Sequence, residues 1–181
     1  FTKRGPGTLT LTRAGVANAY TGTITVAEGT VVAAGTVGDG TIRGDVRVEN
    51  GAEFRLGNAN IIANTANLNV APGGLVNLGG LDEWIGNLTG GGTVTSAAGT
   101  VRLDYLQPGS DYVFNGSLLG AWTLYLENNQ TRGGTQWLNG TNDLASLWVE
   151  GNNTVRLSSN GVTRLSNLFS VNPGGNFDGA V

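Results

Sequence analysis

Asp82 and Glu83 form the only adjacent acidic pair in this 181-residue chain, and Trp84 follows them directly. Two carboxylates facing each other across a cleft are the machinery of glycoside hydrolysis. Neighbours in sequence need not face one another, and no second acidic pair supports this one. Histidine and cysteine are both absent. Their absence removes the usual proton shuttle at neutral pH, thiolate metal sites, cysteine nucleophiles and disulfides. Calcium binding needs several converging oxygens, and the chain has no Asp-rich repeat. Neither a metal nor a cofactor is expected.

The residues best suited to binding are aromatic. Trp148 stands between Leu147 and Val149, and Tyr125 between Leu124 and Leu126. On strands with the leucines and valine inward, both rings face out. Their 23-residue offset stacks Trp148 over Tyr125. Two such rings make an amphipathic platform for a sugar ring or a protein surface. The competing reading is an aromatic ladder covered by a local loop such as that near Trp137.

The stretch Asp104 to Tyr112 contains Asp104, Tyr105, Asp111 and Tyr112 around Pro108-Gly109. It reads as a loop leaving the wall at residues 104–112, where a rigid scaffold commonly carries contact residues. Its tyrosines could equally fold back onto the wall. An Arg43-Gly44-Asp45 tripeptide has the form of a cell-attachment motif, but Gly44 also takes a turn position shared with Gly22 and Ala66. Glu127 and Glu150 read as solvated residues at equivalent turns. The sequons at Asn87, Asn115, Asn129, Asn139 and Asn152 read as turn asparagines.

These residues are positioned by a repeat. Val26, Val48 and Val70 are spaced by 22, as are Ile24, Val46 and Leu68, and Gly29, Gly51 and Gly73. Val32, Phe54 and Val76 keep the same interval. Alternating apolar residues within such a period are the mark of a β-solenoid. The alternation predicts Val32 and Ala34 as inward partners of Phe54 and Leu56, with Leu9 and Leu11 slipped by one residue. Leu88, Val94, Val101 and Leu103 read as one further coil, stretched by two residues. The period resumes from Leu124 to Leu147 at 23, from Leu147 to Phe169 at 22 and from Val155 to Phe177 at 22. The predicted fold is all-β, a parallel β-helix of roughly eight coils and, at about 4.8 Å per rung, on the order of 40 Å long. It forms one domain over residues 1–181. The Asn-Gly pairs at Asn50, Asn115, Asn139 and Asn160 suit hairpins, but the ladders favour stacking.

Composition agrees. There are 31 glycines, apolar residues make up 39%, and charged residues only 13% with a net charge of −3. Lys3 is the sole lysine, so no basic patch exists for nucleic acid. No apolar run is long enough for a transmembrane helix, and no membrane insertion by this segment is expected. With neither methionine nor a signal-peptide pattern, the chain reads as a processed product or a piece of something longer.

Two segments carry a resemblance. Gly5-Pro6-Gly7-Thr8-Leu9-Thr10-Leu11, then Ala19-Tyr20-Thr21-Gly22-Thr23-Ile24-Thr25-Val26 and Gly29-Thr30-Val31, resemble the passenger-associated repeat of bacterial autotransporters. Ile85-Gly86-Asn87-Leu88-Thr89-Gly90-Gly91-Gly92-Thr93-Val94 resembles a second motif of the same proteins. The resemblance implies a right-handed parallel β-helix, extracellular or on the outer surface of a Gram-negative bacterium.

The expected function is non-enzymatic: a structural, adhesive stalk whose outward residues contact carbohydrate or a cell-surface protein. A rival reading is a filament subunit that associates with itself, because neither end carries an obvious cap. A third is a polysaccharide-degrading enzyme, which the lack of an acidic cluster disfavours.

Overall fold

The computed structural model describes residues 1–104, 106–127, 133–158, 161–172 and 175–178. Within them every strand pairing is parallel and no helix occurs. Coil one carries β1 (Thr2–Lys3) and β2 (Thr8–Leu11), coil two β3 (Ile24–Val26) and β4 (Thr30–Ala33), and coil three β5 (Val46–Val48) and β6 (Glu53–Leu56). Coil four adds a third strand: β7 (Leu68–Val70), β8 (Leu75–Asn77) and β9 (Glu83–Ile85). Coil five has β10 (Leu88–Gly90), β11 (Thr93–Thr95) and β12 (Thr100–Leu103), and coil six β13 (Asp111–Phe114), β14 (Ser117–Leu119) and β15 (Thr123–Leu126). Coil seven has β16 (Thr135–Leu138) and the long β17 (Thr141–Val149), and coil eight β18 (Thr154–Leu157) and β19 (Val162–Val171). A ninth turn begins with β20 (Asn176–Asp178).

The coil therefore has three sides. The first strands of each coil stack into a nine-stranded sheet, here the first face. The second strands, β2 through β14, stack into the second face and meet the first half of β17. The third face is irregular in coils two and three, where one bridge joins Ile42 to Ile62. From β9 it becomes a sheet that runs through β12 and β15 to the second half of β17. β17 turns the corner between the two faces, and its pairing with β19 shifts register between Leu144 and Ser146.

Parallel stacking lets each rung satisfy the backbone groups of the next. Inside, side chains form ladders. Val26, Val48 and Val70 align on the first face, and Val31, Phe54, Val76, Val94 and Leu118 on the second. Val101, Leu124, Leu147 and Phe169 align on the third. All of these except the half-buried Phe169 are fully enclosed. Trp122 fills the corner between the second and third faces and donates its Nε1–H to the Leu119 carbonyl at 2.9 Å.

Three details differ from the sequence expectation. The inward residues of β4 are Val31 and Ala33, not Val32 and Ala34. Leu9 and Leu11 pair with Val31 and Ala33 without any slip, and the offset falls one coil later, where Val31 meets Phe54. Its cause is one extra residue in the following turn, where the buried Ala52 separates Gly51 from Glu53. Coil five is shortened rather than stretched: Leu88 pairs with Leu68 and Val94 with Val76, spacings of 20 and 18. The Asn-Gly pairs at Asn115 and Asn139 are not hairpin turns. They stack between faces, with Asn139 Nδ2 donating to Asn115 Oδ1 at 2.9 Å, and a Cβ on Gly116 or Gly140 would strike the carbonyl of Gly92 or Gly116.

Candidate functional site: an outward ladder on the third face

On the third face, inward and outward positions alternate as the pleat requires. Glu83 and Ile85 point in, so Trp84 between them points out. Registers carry that outward line from Trp84 to Arg102, Tyr125, Trp148 and Ser170. Four consecutive rungs thus present π, cation, π and π.

The stack is continuous. The Arg102 guanidinium carbon lies 4.6 Å from the Trp84 ring centroid and 5.5 Å from that of Tyr125. The Tyr125 and Trp148 centroids are 5.9 Å apart with planes inclined by 17°. Both distances from Arg102 are within the reach of a cation–π attraction. Glutamates that follow β15 and β17 fix the array. Glu127 Oε2 accepts the Trp84 Nε1–H at 3.0 Å and sits 3.5 Å from Arg102 Nε. Glu150 accepts from the Tyr125 hydroxyl and from Asn172 Nδ2, the latter at 2.5 Å. Partial burial, the bond to Glu150 and the negative charge of both glutamates raise the Tyr125 hydroxyl above its ordinary pKa. It is a fixed donor, not an acid in reserve.

Tyr125 and Trp148 are therefore brought together as the spacing predicts. Trp137 does not belong to a loop above them: it lies on β16 of the first face, with the Arg156 guanidinium carbon 4.9 Å from its ring centroid. Glu127 and Glu150 are ring-holding acceptors rather than solvated turn residues. Sequence reasoning missed Trp84 and Arg102, although Arg102 stands 23 residues before Tyr125 and shares its parity.

The other candidates separate. Tyr105 lies outside the described residues, as does the Asn129 sequon. Asp104 closes the end of β12, where its amide donates to the Ile85 carbonyl at 2.9 Å. Asp111 is exposed at the start of β13, so the excursion is shorter than 104–112. Tyr112 points inward in β13, packs against the core and accepts the Gln107 amide at 3.3 Å. It belongs to an inward ladder with Gln136, Val155 and Phe177 and is half-buried.

Gly44 and Asp45 are built into the wall, and the exposed Arg43 is tied to it. Asp45 Oδ1 accepts the Asn67 amide at 2.8 Å, Arg43 donates to the Asn18 carbonyl at 3.2 Å, and a Cβ on Gly44 would meet the Gly22 carbonyl.

Glu83 cannot act as a glycosidase carboxylate with Asp82. It is fully buried, and its oxygens accept the amides of Ile61 at 3.0 Å, Ile62 at 3.3 Å and Trp84 at 3.1 Å. Burial pushes its pKa up to about 8, against the three amides that lower it. It supplies, as a side chain, the acceptors that a regular strand would give to the irregular third side of coil three. Asp82 points away and accepts the Thr100 amide at 2.7 Å.

Residues 1–37 match the family model of the passenger-associated-transport-repeat. The structure explains the motif residues there. Thr8–Leu11 forms β2, and Gly29 sits with positive φ where any Cβ would meet the Gly5 and Gly7 carbonyls. No curated protein and no solved structure matches the chain. The chain is thus similar to autotransporter passenger repeats over residues 1–37, and its described residues form a parallel β-solenoid.

Proposed function

We propose that this chain is a non-enzymatic stalk segment of an autotransporter-like passenger, exposed at a bacterial surface and adhesive through its outward residues. The passenger-repeat family is one of secreted or surface proteins of Gram-negative bacteria, and the match at residues 1–37 supports that setting.

One observation carries the reading: the adjacent acidic pair on which hydrolysis would rest is engaged in holding backbone. Asp45, Asp82 and Glu83 each accept main-chain amides of neighbouring coils, and Glu28 accepts that of Gly5 at 2.8 Å. What remains for contact is the rigid outward surface, above all the third-face ladder. Weak contacts repeated along such a rod gain strength through avidity.

The test is adhesion. Beads coated with the folded chain should adhere to host-cell layers or matrix polysaccharide, while beads coated with heat-unfolded chain should not. Equal adhesion of both, or none, overturns the reading. So does measurable cleavage of a uronic-acid polymer by the folded chain.

A further inference from the structure

Within the ladder Tyr125 has both ring faces covered, while Trp84 and Trp148 each have one ring face against a neighbour. Arg102 lies against Trp84 on the β12 side, and Tyr125 is held between Arg102 and Trp148. A ligand at Tyr125 meets no free ring face. Trp84 is different. It borders a cleft of about 360 Å³ formed with Gly38, Asp39, Asn60 and Asn64 from the two preceding coils. We propose that this cleft binds a neutral saccharide, which stacks on Trp84 and is hydrogen-bonded by Asp39, Asn60 and Asn64.

Four features point to that ligand. The volume falls at the small end of ligand clefts, about 300–1,000 Å³, a size for one or two sugar rings. An indole face takes the C–H side of a sugar ring, and this indole is already fixed by Glu127 and Arg102, so little order is lost on binding.

Asn60 and Asn64 each hold a side-chain oxygen that is shielded from solvent and has no hydrogen-bond partner. Either amide gains a bond by turning that oxygen to a hydroxyl in the cleft. Finally, Asp39 (φ 52°) and Asn60 (φ 53°) are the only non-glycine residues in the left-handed region among those described. They occupy neighbouring rungs, the Asp39 amide donating to the Asn60 carbonyl at 2.8 Å. Backbone of this kind gathers at ligand clamps.

The lining also excludes other classes. It contains no lysine or arginine, and burial together with the charge of Asp104 already raises the Asp39 pKa. An anionic sugar would worsen that repulsion. A divalent cation would need more carboxylates: no group of three acids suited to a metal occurs among the described residues.

The proposal deepens the adhesive reading by naming one ligand class at one site, and the two fail separately. The labelled folded chain is applied to an array of neutral glucose-, galactose- and mannose-based oligosaccharides, and the best ligand is titrated by calorimetry. Trp84→Ala should weaken binding at least about tenfold and Asn64→Ala several-fold, whereas Trp84→Phe should keep most of it and Trp137→Ala all of it. Melting curves establish that each variant is folded. Absence of binding to every neutral glycan overturns the proposal. So does unchanged affinity in both Trp84→Ala and Asn64→Ala, or saturable binding of Ca²⁺ alone with none of sugar. If beads adhere while the array stays blank, the cleft assignment fails and the adhesive stalk stands.

Discussion

The Trp148 ring lies over that of Tyr125, 5.9 Å away and inclined by 17°, because Leu124 and Leu147 pair in register beneath them. An inward ladder of the core thus sets an outward ladder of the surface. Packing inside the solenoid and chemistry outside it are two faces of one register.

That coupling has a measurable size. In a double-mutant cycle with Tyr125→Leu and Trp148→Leu, the interaction energy should be about 0.5–1.5 kcal/mol, read from urea denaturation. Arg102→Lys should not preserve stability. An ammonium cannot lie flat between two rings, and the loss should be about 0.5–1 kcal/mol.

Leu124→Ala should cost about 2–5 kcal/mol. Leu124 is fully enclosed between Val101 and Leu147, and rungs held above and below cannot collapse into the gap. The midpoint of denaturation checks this.

Gly140→Ala should be destabilising by at least ~1–3 kcal/mol, although its backbone is not in the left-handed region. The added Cβ would strike the Gly116 carbonyl of the coil below and force two rungs apart. Gly109→Ala is a contrast, because nothing lies within 4 Å of its Cβ position and the only penalty is its φ of 70°.

Glu83 makes stability depend on pH. Its pKa is raised from 4.5 to about 8 on folding, chiefly by burial. Between those values the folded state holds a proton that the unfolded chain has released, so stability falls as pH rises. The contribution is complete below about pH 4.5 and lost through pH 8. The melting temperature of the wild type should fall across this window. Glu83→Gln should flatten the profile, at the cost of about 1–3 kcal/mol below pH 5 for the Ile61 amide left facing an NH₂ group.

Much of the fold is legible in the sequence because stacking enforces a period. The ladders through Val48 and Val70, the 23-residue step from Leu124 to Leu147 and the eight coils all follow from spacing alone. The failures have a common physical source. A turn absorbs or drops a residue without breaking the stack, as at Ala52, and the parity on the two sides of that turn then differs by one. The same flexibility concealed the third face, whose rungs at Glu83 and Val101 are only 18 residues apart.

The site was half legible. Tyr125 and Trp148 stood out as aromatics between leucines and valine. Arg102 was masked by its type and Trp84 by its acidic neighbours, though Glu83 shares an inward parity with Ile85. The cleft over Trp84 was not visible at all, since Asp39, Asn60 and Trp84 come from three different coils.

The central claim is that the coils stack in the register that lines up Trp84, Arg102, Tyr125 and Trp148 on one outward face. The chain has no native cysteine, so oxidative cross-linking tests it directly. The pair Tyr125→Cys with Trp148→Cys should form a disulfide in the folded chain, because adjacent parallel rungs bring the two positions within the ~4.4–6.8 Å that the bond spans. The pair Tyr125→Cys with Leu147→Cys should not, because those side chains lie on opposite sides of the wall. Cross-linking of the second pair but not the first would contradict the register, and with it the ladder and the contact surface built on it.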